Sequence, residues 1–311
     1  MIVPLDEIAD LLRSPLNKTA PVELSFEGKE LKRAWSSAVD FQIALGKPVL
    51  IDFPASVCKE EWFENNKINY SPIGHRSNAL RKIKGSISGT PSVSKKKIKH
   101  FESLLDSRPT VLIVGSGTIG AGCEQLYSSP NTKLICFDIY PSELTQFIAD
   151  AHSIPLKDEC VDGVIVQAVL EHVLDPEKVV SEIRRVLRPG GIVYAETPFM
   201  QQVHEGRYDY TRFTELGHRW LFRDFESIHR DILGGPGLSL YWSTRYFFRA
   251  VIRNKKIADV MSLPALLFSL CDRLIPRKHQ VEGANGVLFI GRKGIESVTV
   301  KQIASEYLAE D

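Results

Sequence analysis

Thr110-Val-Leu-Ile-Val-Gly-Ser-Gly-Thr-Ile-Gly120 is the stretch on which the fold turns. Four aliphatic residues in a row after Thr110 leave no polar face, so the segment predicts a strand buried on both sides, as in a parallel sheet. Gly115, Gly117 and Gly120 follow directly, and a helix through residues 123–127 comes next. Glycines at such a turn let the backbone bend sharply and approach a ligand, while the following helix start offers free N–H groups to an anion. Working outward, residues 133–137 read as a second strand ending at Asp138, and residues 161–166 as another. Residues 176–187 read as a helix stopped by Pro189-Gly190-Gly191, with strands to follow at 192–196, 226–233 and 286–293. Strands and helices in alternation predict an α/β open sheet.

Asp138 lies 18 residues after Gly120, where a carboxylate can accept both hydroxyl protons of a ribose. That pair alone suits a nicotinamide dinucleotide as well as S-adenosylmethionine (SAM). Four further segments occur in order: Ala149-Asp-Ala-His-Ser-Ile-Pro-Leu156, Cys160-Val-Asp-Gly-Val-Ile-Val166, Val169-Leu-Glu-His-Val173 and Arg185-Val-Leu-Arg-Pro-Gly-Gly191. At these residues the chain resembles the SAM-dependent methyltransferases with a seven-stranded Rossmann-like sheet, closest to the branch acting on small molecules, quinones and glycans. The resemblance runs over about residues 96–293 and implies an antiparallel last strand.

It also implies roles. Gly115, Gly117 and Gly120 would pass beneath the methionine part of SAM, Asp138 would hold the ribose and Ile139 would lie against adenine. Asp150 would accept from the adenine amine, with the Ala151 N–H near a ring nitrogen. Gln167 stands at the carboxyl end of its strand, where open α/β sheets bind ligands. The chain departs from the family pattern at Ile113, where many members carry an acid for the SAM amino group. Ordinary roles stand beside these: Asp138 and Asp150 as strand-end caps, His152 as a loop residue, Glu171 and His172 as helix-capping groups.

Residues 197–214 gather polar, ionisable and aromatic groups at the carboxyl end of the sheet, where a methyl acceptor belongs. His204, Glu205, Tyr208, Asp209, Tyr210 and Arg212 are the acceptor-facing candidates. If the acceptor is a hydroxyl, a base must take its proton, and histidine is suited to that task near neutral pH. His204 is the first candidate for that base and His172 the second, with Tyr208 and Asp209 completing the catalytic set; the rival role for His204 is to fix a loop by hydrogen bonds.

The totals exclude several classes. Among 311 residues, 39 Lys+Arg balance 38 Asp+Glu, 43% are hydrophobic and 25% charged, which disfavours disorder, fibrous repeats and a whole-molecule grip on nucleic acid. Five scattered cysteines without a CxxC pair indicate neither a disulfide framework nor a cysteine zinc site, and fit a reducing cytoplasm. No signal peptide or membrane-spanning stretch is read. The apolar run 257–276 is broken by Asp259, Pro264, Asp272 and Arg273, and reads as a packed helix pair, either a roof over the acceptor or a surface that touches membrane.

Four zones emerge: a β-rich region at 1–57, a Ser/Gly/Pro-rich linker at 58–95, the methyltransferase-like domain at 96–293 and a tail helix within 294–311. Residues 71–100 carry eight Lys/Arg and no acid, against a total of +1, and so form a candidate contact for an anionic partner or a solvated face. In the first zone, Leu11–Asn17, Glu30–Trp35 and Phe41–Ile51 resemble a small zinc-ribbon-like family that includes activator subunits of tRNA and protein methyltransferases. Ser14, Asn17, Ala34 and Ser37 stand where that family has cysteines, so the resemblance implies a ribbon without metal, serving partner docking or support; the rival is an unrelated β-rich extension. The sequence therefore reads as a SAM-dependent methyltransferase for a small molecule or glycan, with a non-catalytic SAM-fold module and a nicotinamide-dependent oxidoreductase as the alternatives.

Overall fold

A computed structural model describes residues 1–37, 39–64, 90–204, 206–295 and 297–308. Most of the linker, including Arg76, Arg81, Lys82 and Lys84 of the basic run, lies outside the described residues, as does Glu205. The remaining basic residues, Lys95, Lys96, Lys97 and Lys99, lie on a helix, α1 (Thr90–Ser103), which starts before the expected residue 96.

In chain order the strands are β1 (Glu23–Glu27), β2 (Glu30–Ser36), β3 (Val39–Phe41), β4 (Ile43–Ala44), β5 (Lys47–Leu50), β6 (Thr110–Val114), β7 (Lys133–Asp138), β8 (Phe147–Ala149), β9 (Val161–Gln167), β10 (Leu187–Pro198), β11 (Phe225–Gly234) and β12 (Gly286–Lys293). The further helices are α2 (Glu124–Ser128), α3 (Pro176–Val186), α4 (Glu215–Leu221), α5 (Pro236–Ile252) and α6 (Lys255–Met261).

The main sheet runs β11-β12-β10-β9-β6-β7-β8-β5-β4. β6 sits centrally between β7 and β9, parallel to both, and every residue from Val111 to Val114 is buried. β12 is antiparallel to β10 and β11. The expected seven-stranded α/β sheet with an antiparallel last strand is thus present. Two more strands extend it: β5 pairs in parallel with β8 (Val49 with Ile148, Leu50 with Ala149), and β4 forms a hairpin with β5. The chain order reverses between β6 and β9, and the loops leaving their carboxyl ends diverge to open a crevice.

Helices on both faces close the core. α3 is started by Asp175, whose carboxylate accepts from the Lys178 N–H (2.9 Å), with Pro176 in its first turn. It buries Val179, Val180, Ile183 and Val186, residues spaced to share one helix face. On the opposite face Ile98 and Phe101 of α1 are buried with Leu134, Ile165 and Tyr194. Residues 1–57 share this architecture as well as adding their own three-stranded antiparallel sheet, β1-β2-β3. Ile8, Leu12 and Val22 belong to the same buried cluster as the central strands, and Ile2 bridges to Leu134. At the ribbon positions, Ser14 and Ala34 are buried, while Ser37 adopts φ 52° at the β2–β3 turn.

His218 of α4 is enclosed by the rings of Phe213, Phe222 and Phe289 at 6.1, 5.0 and 6.4 Å. Burial pushes its pKa from 6.5 down to about 3. The unfolded chain therefore binds this proton more readily, so the stability is whole above the unfolded pKa and is lost as pH falls toward the folded one. Urea unfolding of a His218→Leu variant is expected to show a shallower stability loss between about pH 6 and 4, by roughly 1.4 kcal/mol per pH unit. An unchanged slope would assign the acid sensitivity to other groups.

Candidate active site

The glycine loop is shaped by what presses on it. Gly115 has φ +80°, and a Cβ there would stand 2.3 Å from Cγ2 of Val169. At Gly120 a Cβ would meet Oε1 of Gln167 at 2.1 Å. Gly115 therefore requires glycine for its backbone conformation, whereas at Gly120 a side chain would have to displace the flexible end of Gln167. The loop is tied to the neighbouring strand by Asp138. Its Oδ2 accepts from the Gly117 N–H and its Oδ1 from the Ile139 N–H, each at 2.7 Å. Burial pushes the Asp138 pKa up to about 7, against the opposing pull of the Gly117, Ile139 and Tyr140 N–H groups. Of its roughly four acceptor sites, one is left for a hydroxyl.

Asp150 is more committed than the sequence suggests. Its Oδ1 accepts from the His152 N–H (2.9 Å) and faces His152 Nδ1 (2.6 Å), while Oδ2 accepts from the Ser56 hydroxyl. Burial alone would raise its pKa, but these donors outweigh it and hold the carboxyl below its usual range. His152 Nε2 accepts from the Asp175 N–H (3.1 Å), which assigns the ring proton to Nδ1. His152 is thus a clamp between the Asp150 loop and the start of α3. His152→Ala is expected to lower unfolding stability by about 1–2 kcal/mol, measured by urea denaturation, because it leaves the Asp150 and Asp175 groups short of partners; an unaltered midpoint would remove the clamp.

Gln167 donates to the Ala121 carbonyl (3.1 Å) and to Glu196 Oε2 (2.9 Å), and Cys123 donates to its Oε1. Glu196 also accepts from the Tyr194 hydroxyl, and burial raises its pKa. Reasoning from sequence missed Glu196. It reaches the crevice through strand register, opposite Gln167 in the β9–β10 pairing. Beyond Gln167, Ala168 adopts φ 52° and turns the chain into the short 3-10 helix Leu170–His172.

That turn brings His172 against His204, with ring centroids 4.9 Å apart. His172 Nδ1 meets the Tyr208 carbonyl at 2.7 Å, so it carries the proton and Nε2 keeps a lone pair. Burial pushes the His172 pKa down to about 4, leaving it neutral near pH 7. His204 Nδ1 lies 3.3 Å from Asp209, whose carboxylate also accepts from the His204 N–H (2.8 Å) and from Arg212. Burial works against ionisation of Asp209, but these donors hold its pKa down to about 2. Glu171, fully buried, directs Oε1 toward both Nε2 atoms at 3.6 and 3.8 Å. Among the described residues, Glu171, His172 and His204 are the histidine-and-acid group close enough to share a cation.

One cavity of about 400 Å³ joins these parts. It is lined by Gly115, Gly117, Gly120, Asp138, Ile139, Asp150, Ala151 and Gln167, and at another part of its wall by His172, His204 and Tyr208. Ile113, Glu196 and Val57 also line it. Asp209, Tyr210 and Arg212 do not; Asp209 stands behind His204, and Arg212 holds Asp209.

Residues 112–195 match the protein family described as "Methyltransferase domain". The chain has a SAM-dependent-methyltransferase-like fold with an N-terminal β-rich extension. A 44-residue segment is 48% identical to the ubiquinone/menaquinone biosynthesis C-methyltransferase UbiE of Acidiphilium cryptum, covering 14% of this chain and 18% of that protein. An 87-residue segment is 32% identical to UbiE of Geobacter sulfurreducens, covering 27% and 30%. The matches thus span less than a third of these curated relatives. Among solved structures, a SAM-dependent methyltransferase from Archaeoglobus fulgidus is 13% identical, with a TM-score of 0.44 and coverage of 70% of this chain and 100% of that one. Another from Methanosarcina mazei is 18% identical, with a TM-score of 0.38 and coverage of 63% and 97%.

Proposed function

We propose that the chain binds SAM in this cavity and transfers its methyl group to an oxygen of a small-molecule or glycan acceptor. The observation that carries the reading is the continuity of a glycine-and-carboxylate cradle with a histidine pair in one cavity. The cradle suits the cofactor on its own terms: Gly115 holds a left-handed backbone that favours glycine, Gln167 crowds Gly120, and Asp138 keeps a lone pair beside exposed loop N–H groups. Gly115, Gly117 and Gly120 hold the amino-acid end, Asp138 the ribose, and Ile139, Asp150 and Ala151 the adenine side. Glu196 takes the place of the acid that Ile113 lacks and faces the amino group. When bound, SAM supplies a methyl group already activated on a cationic sulfur.

The chain's own task is then to position an acceptor, exclude water and remove one proton. His204, with Asp209 beside its Nδ1 (3.3 Å), would take the acceptor proton at Nε2 as the oxygen–methyl bond forms and the sulfur–methyl bond breaks. Asp209 and Glu171 flank the resulting imidazolium and stabilise it. Residues 1–57 serve as support, with β5 bracing β8, Ser56 holding Asp150 and Val57 walling the cavity.

Calorimetric titration is expected to show binding of S-adenosylhomocysteine and not of NAD. Binding of NAD alone would defeat the reading, and binding of neither would favour a non-catalytic module. With an acceptor found by radiolabelled methyl transfer, His204→Gln should lower kcat by roughly a hundredfold or more while S-adenosylhomocysteine affinity is kept. Glu196→Gln should instead weaken cofactor affinity. Dialysis against EDTA should leave turnover unchanged. A loss restored by a divalent cation would make Glu171, His172 and His204 a metal site.

A further inference from the structure

The segment from Pro236 to His279, comprising α5, α6 and the 3-10 helices Leu263–Arg273 and Arg277–His279, packs largely on itself beside the sheet. It holds ten of the twenty-one exposed large hydrophobic residues among those described, including Phe247, Val251, Val260, Leu267, Phe268 and Leu274. Leu274 is 86% exposed and Val251 64%. Isolated exposed apolar residues are ordinary, but such a concentration in one lobe marks a surface that something covers.

The charges of the lobe are as uneven as its apolar residues. Arg253, Lys255, Lys256, Arg273, Arg277 and Lys278 are exposed, whereas neither of its two acids is. Asp259 accepts from Arg245 and Arg249, both at 2.8–2.9 Å through Nε, and Asp272 accepts from the Gly237 and Leu238 N–H groups at the start of α5. Both carboxylates are therefore spent inside the lobe. The exposed side chains of the lobe are thus rich in hydrocarbon and cations, of which Arg277 is paired with Asp231 at 2.7 Å.

This combination selects the occupant. A second copy docking about a twofold axis would bring the patch onto itself and set its cations against one another. Among the described residues no helix is long and apolar enough to cross a membrane. Short helices with aromatic and aliphatic side chains beside exposed Lys and Arg have the character of interfacial segments, which lie in the boundary of a bilayer and are drawn to anionic headgroups.

We propose that the lobe formed by residues 236–279 is a docking surface for an anionic lipid bilayer. The lobe is tied to the acceptor loop, because Gln202 donates to the Ser243 hydroxyl (3.1 Å) and the Tyr246 hydroxyl donates to the Val203 carbonyl (2.6 Å). Met200 and Val203 of that loop are themselves exposed and extend the apolar surface. Docking is read without turnover, so this proposal stands or falls apart from the methyl-transfer reading.

The test is co-sedimentation of the full chain with vesicles of phosphatidylcholine alone and of phosphatidylcholine with phosphatidylglycerol. Partitioning should be confined largely to the anionic vesicles and should weaken as salt is raised. The double variant Lys255→Glu/Lys256→Glu should lower the partition coefficient by roughly tenfold or more. Phe247→Ser/Val251→Ser, at exposed positions, should also lower it, with circular dichroism unchanged. Failure to bind anionic vesicles, or binding that neither double variant reduces, would overturn the proposal. So would light scattering that shows a dimer in lipid-free solution which Phe247→Ser/Val251→Ser dissociates.

Discussion

The buried carboxylate of Asp138 is the constraint on which the site depends. It binds the loop after β6 to the end of β7 through the Gly117 N–H, while its other oxygen accepts from the adjoining Ile139 N–H. An ionised carboxylate with so little water around it is costly, and its pKa is raised accordingly. That cost is offset locally by donors rather than by a counter-charge. The same carboxylate thus serves both the fold and the cavity wall. The glycines around it answer the same geometry, because Val169 and Gln167 press on the loop from β9's side.

A second knot, around Asp150, connects regions far apart in sequence. Ser56 reaches it from the N-terminal region and His152 passes its hold on to the start of α3. Nearby, Arg185 donates to the Ile154 and Leu156 carbonyls as well as to Asp158 and Glu182, and Lys18 donates to the Ile154 carbonyl. Residues 1–57 and the central domain thereby share one polar seam alongside one apolar core. For this reason the N-terminal region reads less as an attached module than as part of the wall around the crevice.

The central sheet was legible in sequence because its signals are local. An aliphatic run followed by glycines, a strand-end Asp138 and Pro189-Gly190-Gly191 after the helix over 176–187 each act within a few residues. The β5–β8 pairing was not legible. A parallel edge contact between residues about one hundred apart leaves no periodic mark in either segment. The histidine end was legible as composition but not as geometry. Residues 197–214 announced a concentration of polar groups, yet only the folded chain separates His204 and Tyr208, which line the cavity, from Asp209, which holds His204 from behind, and Arg212, which holds Asp209. Glu196 escaped notice because its place beside Gln167 comes from strand register.

The edge pairing also sets an order of assembly. β5 leaves the ribosome well before β8, and Ile2 is bridged to Leu134 over an even longer span. Contacts of such high sequence separation close late, after loop entropy has been overcome. During synthesis β5 can pair at once with β4, but its other edge must wait until the strands from β6 to β8 have formed to receive it. Closure of this side of the cavity is thus a late event in a chain whose first residues take part in it, and changes in β5 would be felt in the rate of unfolding more than in the rate of folding.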